Sequence, residues 1–166
     1  ATAVEAGTQA ALMAPTEILA EQLAQTFSRW FMPLGIQLAW LAGKQKGKAR
    51  AHAELAVRSG QAQLVIGTHA LFQESIEFNR LGLIIVDEQQ RFGVDQRLLL
   101  REKGADGLTP HQLVMTATPI PRTLAMSVYG DLDTSIIDEL PPNRTPVTTV
   151  TIPRDRRDEV IERVAS

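Results

Sequence analysis

The chain contains no cysteine, which excludes disulfides and thiolate metal sites and suits a reducing compartment. Its formal net charge is -2, so no overall positive field draws it to nucleic acid, and any such binding rests on local patches. No apolar run approaches the roughly 20 residues that a membrane-spanning helix needs, and the first residues lack a secretory-signal pattern. The expectation is a soluble, cytoplasmic chain without membrane contact. His52, His69 and His111 are too scattered for a metal site, which argues against zinc. Also missing is G-x-x-x-x-G-K-[ST], the loop whose backbone and lysine grip phosphates in P-loop nucleotidases. Gly43–Lys48 comes nearest, but its second glycine is one residue early, and Ala49 stands where a Mg2+-binding hydroxyl is required. There is no internal repeat and no low-complexity segment.

What is present is an ordinary soluble composition, 44% hydrophobic and 22% charged over 166 residues, enough for one domain with a real core. Its organising stretch is Leu83-Ile-Ile-Val-Asp-Glu-Gln-Gln-Arg91. The β-branched run reads as a strand buried on both faces of a parallel sheet. Burying an unpaired carboxylate is costly, so Asp87 and Glu88 belong at the strand's C-terminal end, where a parallel sheet opens into a crevice. A strand ending in Asp-Glu suits a nucleotide-hydrolysing site, with Asp87 holding Mg2+ and Glu88 polarising the attacking water. The plainer reading is an acidic pair that starts a solvated loop.

In chain order, Ala1–Thr8 is helix-compatible and Gln9–Ala14 is a short apolar strand. Thr16 caps a helix with Glu17 in its first turn, and Leu19, Leu23, Phe27, Trp30 and Phe31 form one broad apolar face. Pro33 and Gly35 end that helix. Ile36–Leu41 is a second strand, the basic loop Gly43–Arg50 follows, and a helix over Ala49–Ser59 stops at Gly60. Gln63–Gly67, Leu83–Asp87 and Gln112–Thr116 are further strands, with a helix over Asp95–Lys103 before the last of them. Pro121–Tyr129 is a helix opened by proline, and Ser135–Ile137 is a short strand. Pro141–Pro146 is a linker, Val147–Ile152 a strand and Asp155–Val164 a helix. Alternating strands and helices predict an α/β fold, a parallel sheet with helices on both faces. Thr16, Thr68, Asp87, Glu88 and Thr116–Thr118 all lie just past strand ends, so they should share one rim.

Each motif also has an ordinary reading. Thr116-Ala117-Thr118 follows the acidic pair by about 28 residues, and its hydroxyls could bond to the carboxylates, although threonine is also a common turn residue. Pro15-Thr16-Glu17 and Gly67-Thr68-His69 place hydroxyls and free N–H groups at strand-to-helix junctions, which suits phosphate but also plain capping. Lys44, Lys46, Lys48 and Arg50 form either a phosphate-contacting patch or a solvated loop. Phe92 and Gly93 suit a lever and a sharp turn beside the carboxylates, and Arg122 either reaches the crevice or faces solvent.

Four ordered stretches carry a family resemblance: Ala11-Leu-Met-Ala-Pro-Thr-Glu-Ile-Leu-Ala-Glu-Gln22, Val65-Ile-Gly-Thr-His-Ala-Leu71, Ile84-Ile-Val-Asp-Glu-Gln-Gln-Arg-Phe-Gly-Val94 and Met115-Thr-Ala-Thr-Pro-Ile-Pro-Arg-Thr-Leu-Ala125. They resemble successive motifs of superfamily 2 helicases, and of the RecG family in particular. Asp138-Glu-Leu-Pro-Pro-Asn-Arg-Thr-Pro-Val-Thr-Thr149 extends the likeness. The Mfd-type transcription-repair translocase has a similar motor and is the nearest alternative.

The RecG resemblance implies a RecA-like domain of the P-loop NTPase type, truncated, with residues 1–140 forming part of a first motor domain (motifs Ia to III). Residues 141–166 would be a linker and the start of a second motor domain. It implies ATP and Mg2+ as cofactors, hydrolysis between two motor domains, and DNA as partner, namely branched fork or junction DNA remodelled in recombination and repair. It further implies Asp87 as Mg2+ ligand, Glu88 as water activator, and Gln90, where the family usually has histidine, contacting the coupling motif. Thr116, Ala117 and Thr118 would couple nucleotide state to DNA grip. Pro15, Thr16, Glu17, Gly67, Thr68 and His69 would lie along the DNA backbone, with Lys44 and Lys48 as basic contacts. A single-stranded-DNA-binding protein is a further implied partner. Without the phosphate loop the chain alone is expected to be catalytically silent, a non-catalytic nucleic-acid-binding module, and its unpaired sheet edge favours self-association.

Overall fold

The computed structural model describes residues 1–43, 45–73, 75–88, 103–104, 107, 109–117, 133–142, 144 and 147–165. Its centre is β1 (Gln9–Met13), whose five residues are all buried. Flanking it are β2 (Leu38–Leu41), β3 (Leu64–Gly67), β4 (Leu81–Val86) and β5 (His111–Val114) in the order β2-β3-β1-β4-β5. Every pairing is parallel. Met13 aligns with both Gly67 and Val86, Gly67 with Leu41, and Val86 with Val114. All five strands therefore end on one rim.

Alternation along the strands divides the core in two, because successive side chains point to opposite faces. Ala10, Leu12, Leu64 and Ile66 meet Ala20 and Ala24 of α2 (Glu17–Phe31). Ala11, Met13, Leu41, Val65, Ile84 and Val86 meet Val57 of α3 (Gly47–Arg58), together with Leu71 and Ile76. Helices on both faces leave only β5 with an exposed alternation: His111 and Leu113 are exposed, and Gln112 and Val114 are half-buried. The opening residues form one helical turn, α1 (Thr2–Glu5).

The apolar face of α2 differs from its periodicity. Its two buried residues are Ala20 and Ala24, while Leu23, Phe27 and Phe31 flank them half-buried. Leu19 and Trp30 are exposed, Trp30 at 61%. Small residues sit where helix and sheet approach most closely, so larger ones are displaced to the margins. Trp30 still tilts against Phe27, ring centroids 5.6 Å apart. Gly35, at φ +76°, ends the short 3-10 turn Met32–Leu34 in the left-handed region that glycine tolerates.

Gly67 is required for a different reason. A Cβ there would lie 2.5 Å from the Leu41 carbonyl oxygen, so β2 and β3 reach their common end only without a side chain. At the opposite, N-terminal edge, buried Gln9 acts as a clamp. Its amide nitrogen donates to the carbonyls of Val57 (2.9 Å) and Ala62 (2.7 Å), and its oxygen accepts the Arg80 N–H at 3.0 Å. One side chain thus joins the end of α3, the approach to β3 and the approach to β4. Nothing in the hydropathy pattern marks this role.

Contacts divide the chain into residues 1–120 and 121–166. Within the second unit, the expected strands Ser135–Ile137 and Val147–Ile152 form no strand and have no ladder partner among the described residues. Ile137 is 94% exposed and Val147 86%. A strand exists only through its neighbour, and an apolar triplet does not supply one. The expected terminal helix is present as α4 (Arg157–Ala165), after a 3-10 turn at Arg154–Arg156. The expected helices over Asp95–Lys103 and Pro121–Tyr129 fall outside the described residues, Lys103 excepted.

Candidate functional site

The rim assembles because each parallel strand hands its chain to a turn at the same level. After β4, the Asp87 N–H donates to the Met13 carbonyl at 3.0 Å, continuing the ladder one residue beyond the strand. Asp87 and Glu88 are both half-buried there. Glu88 has φ +53° and is the non-glycine residue with positive φ among those described. Such a conformation costs about 1 to 3 kcal/mol and concentrates at functional sites. After β5, the Met115 N–H donates to the Val86 carbonyl at 2.8 Å, leaving Thr116 and Ala117 exposed one strand away from the acidic pair. Gln90 and Thr118 lie outside the described residues.

On the other side of β4, Thr16 caps α2, its hydroxyl oxygen accepting the Leu19 N–H at 3.3 Å, with Glu17 in the first turn. Thr68 and His69 leave β3 on the same rim. The two differ in access. His69 is exposed, whereas Thr68 is 3% exposed, and its buried hydroxyl has no hydrogen-bond partner among the described residues. A ligand on the rim meets His69 and the backbone, and not the Thr68 hydroxyl as it stands.

A third loop joins them. A Cβ on Gly43 would lie 3.3 Å from Glu17 Oε1 and 3.8 Å from the His69 ring. The turns after β1, β2 and β3 therefore converge at Gly43, a residue that loop composition alone does not distinguish. With strands about 4.8 Å apart, the β3 end lies two strands, roughly 10 Å, from the carboxylates.

The basic stretch is less uniform than its composition. Arg50 is a structural clasp: its guanidinium pairs with Glu54 and donates to the Ala42 carbonyl at 3.3 Å and to Gln73 Oε1 at 2.8 Å. With its side chain 14% exposed, it is not available as a phosphate contact. Helix α3 begins at Gly47, so Lys48 stands exposed in its first turn and not in a loop. Lys44 lies outside the described residues. A cation at a helix start opposes the dipole unless an anion joins it.

A groove of about 750 Å3 runs along α2 and β2, lined by Glu21, Ser28, Arg29, Leu38 and Trp40 among others. It contains neither carboxylate, and its volume carries no chemistry, so the rim remains the candidate site. Among the described residues no helix is long and apolar enough to cross a membrane.

The carboxylates fit a phosphate-bound Mg2+, which takes one or two carboxylates and fills its remaining positions from phosphate and water. Asp87 alone satisfies that requirement at the strand end.

Known proteins resemble this chain in sequence and in fold. The family described as DEAD/DEAH box helicase matches residues 2–127. The chain is 66% identical over 163 residues to the ATP-dependent DNA helicase RecG of Escherichia coli strain K12, covering 98% of this chain and 24% of that protein. It is 68% identical over 164 residues to the RecG of Pasteurella multocida, with the same coverage. The chain thus spans about a quarter of the length of the curated relatives it matches. Among solved structures, RecG bound to a three-way DNA junction superposes with a TM-score of 0.74 at 43% identity, over 95% of this chain and 21% of that one. Mss116p bound to single-stranded RNA and AMP-PNP gives 0.56 at 20% identity, over 74% of this chain and 27% of that one, a likeness of fold alone. The parallel five-stranded sheet is of the RecA-like kind, as expected. With a family match over most of its length and a RecA-like sheet, this chain belongs to the DEAD/DEAH box helicase family.

Proposed function

We propose that the chain is part of an ATP-dependent DNA helicase of the RecG type that remodels branched DNA, replication forks and Holliday junctions, in the cytoplasm. The observation that carries the reading is the seating of Asp87 and Glu88 at the end of β4. They lie between the Thr116–Ala117 turn on one side and the Thr16, Glu17 and His69 junctions on the other. Support also comes from the relatives named RecG, and from the solved RecG whose description includes a three-way DNA junction.

In this reading Asp87 holds Mg2+ and Glu88 orients and deprotonates the attacking water, while Gln90 contacts the coupling turn Thr116–Thr118. Bound Mg2+-ATP supplies the phosphoryl group and the charge neutralisation that its transfer needs. Pro15, Thr16, Glu17, Gly67, Thr68 and His69 line the DNA backbone, with Lys44 and Lys48 beside them. The buried Thr68 hydroxyl limits that residue to backbone contacts. Residues 1–140 belong to a first motor domain, and residues 141–166 to a linker and the start of a second.

The phosphate loop G-x-x-x-x-G-K-[ST] is absent from this sequence, so the chain by itself is expected to be silent in ATP turnover. Strand β5 has no partner on its outer side among the described residues, which favours pairing with another segment or a second copy. A single-stranded-DNA-binding protein is a further partner for such an enzyme. The test is ATPase and junction unwinding by the full-length protein and its Glu88→Gln variant. ATP binding should persist while turnover falls at least 100-fold, about 3 kcal/mol of barrier. Turnover within two-fold of wild type would remove Glu88 from the role.

A further inference from the structure

The outer edge of β2 is closed at both ends and open between them. Along a parallel strand the backbone groups of successive residues face opposite sides. The Leu64 N–H donates to the Gln37 carbonyl at 3.2 Å, so Gln37, Ala39 and Leu41 face β3, and Leu38 and Trp40 face outward. On one side of this pair, the Ile36 N–H donates to the Phe31 carbonyl at 3.2 Å. On the other, the Ala42 N–H donates to Gln45 Oε1 at 3.2 Å, and the Ala42 carbonyl accepts from Arg50 at 3.3 Å. The outward groups of Leu38 and Trp40 have no such cover among the described residues. Edge strands are commonly blunted by charge or proline, and Leu38-Ala-Trp-Leu41 has neither.

The groove between α2 and β2 lies over this gap, with Leu38 and Trp40 in its lining. Trp40 Nε1 is shut off from water without a hydrogen-bond partner among the described residues. The helical wall carries Glu21 toward the rim and Arg29 toward the other end. Both are exposed, and neither has an ion pair among the described residues. The helix separates them by about 12 Å, and four residues of extended chain span about 13 Å. We propose that the outer edge of β2 docks an extended peptide segment of a partner protein by strand addition. The segment carries a cation and an anion four residues apart, with an apolar residue midway. Period two then sets all three side chains over the groove, the cation at Glu21, the anion at Arg29 and the apolar residue between them. Its backbone pairs with Leu38 and Trp40. None of these residues is assigned to nucleotide or DNA, so the proposal stands apart from the helicase reading.

The experiment uses full-length protein and a capped, fluorescein-labelled peptide with the core Lys-Thr-Val-Thr-Glu, read by fluorescence anisotropy. Wild type should bind it saturably. N-methylation of the three central residues of the peptide removes its backbone donors and should weaken binding at least five-fold, a test that needs no protein variant. Arg29→Glu should also weaken binding at least five-fold with its melting temperature unchanged, and a peptide with lysine at both ends of the core should restore it. Absence of saturable binding by wild type would overturn the proposal. So would equal affinity for the N-methylated peptide, since the groove would then be filled without strand pairing. A dimer in sedimentation that Arg29→Glu abolishes would place a second copy of the chain on the edge, and would equally overturn the assignment to a partner's peptide.

Discussion

Gln9 is the side chain whose removal the structure makes most informative. Replacing it with leucine keeps its volume but deletes three hydrogen bonds, and the cost lies in the groups left behind. The Val57 carbonyl retains the Gly60 N–H at 3.1 Å. The Ala62 carbonyl, on a residue 2% exposed, and the Arg80 N–H have no other partner among the described residues. Each unsatisfied group costs about 1 to 3 kcal/mol, and the Arg80 end is nearer solvent, so Gln9→Leu should destabilise by about 2 to 3 kcal/mol. For a unit of this size that corresponds to roughly 8 to 12 °C in melting temperature. Thermal unfolding followed by circular dichroism checks it.

A variant melting within about 2 °C of wild type would refute the reasoning, because relaxation or water would then be satisfying those groups at little cost. Gln9→Glu adds a second arm. The introduced carboxylate would face two carbonyls in a buried site, which raises its folded-state pKa. The folded state then binds the proton more tightly than the unfolded state, so stability falls as pH rises through that pKa. The deficit relative to wild type should be smaller at pH 5 than at pH 8, and a pH-independent deficit would show that the carboxylate escapes to water.

Three further substitutions separate packing from function. Gly67→Ala should cost about 1 to 3 kcal/mol because its Cβ meets the Leu41 carbonyl, and denaturant unfolding with an unchanged midpoint would show that β2 can shift freely. Thr68→Val, which removes a buried hydroxyl without a partner among the described residues, should be neutral or stabilising by up to about 1 kcal/mol. It should also leave DNA affinity of the full-length protein unchanged, and a loss of affinity would mean that the hydroxyl turns outward on binding. Glu88→Gly should raise the melting temperature above that of Glu88→Gln, since glycine relieves the positive φ by about 1 kcal/mol while both variants lack the carboxylate. Equal melting temperatures would show that the conformation stores no strain.

Much of the first unit is local chemistry and is readable without coordinates. The β-branched run before Asp87 had to be an interior strand, Thr16 had to cap the helix that follows β1, and parallel connections had to bring the strand ends to one rim. These follow from period, capping and the cost of buried charge, which act between residues close in sequence. The tertiary structure decided the rest, because it depends on which surfaces come within reach. Ala20 and Ala24, and not Leu19 and Trp30, meet the sheet, since separation from the sheet selects side-chain size within an apolar stripe. Arg50 spends its guanidinium on Ala42, Glu54 and Gln73, acceptors up to 23 residues away in sequence, and so leaves the basic patch it belongs to by composition. Thr68 is hidden and His69 open although they are adjacent. Gln9, a polar residue at the start of a strand, becomes a buried clamp because carbonyl and amide groups from the end of α3 and from two distant loops converge on it. Ser135–Ile137 and Val147–Ile152 have strand composition but no ladder partner among the described residues, since a backbone ladder needs a second chain segment that composition cannot provide.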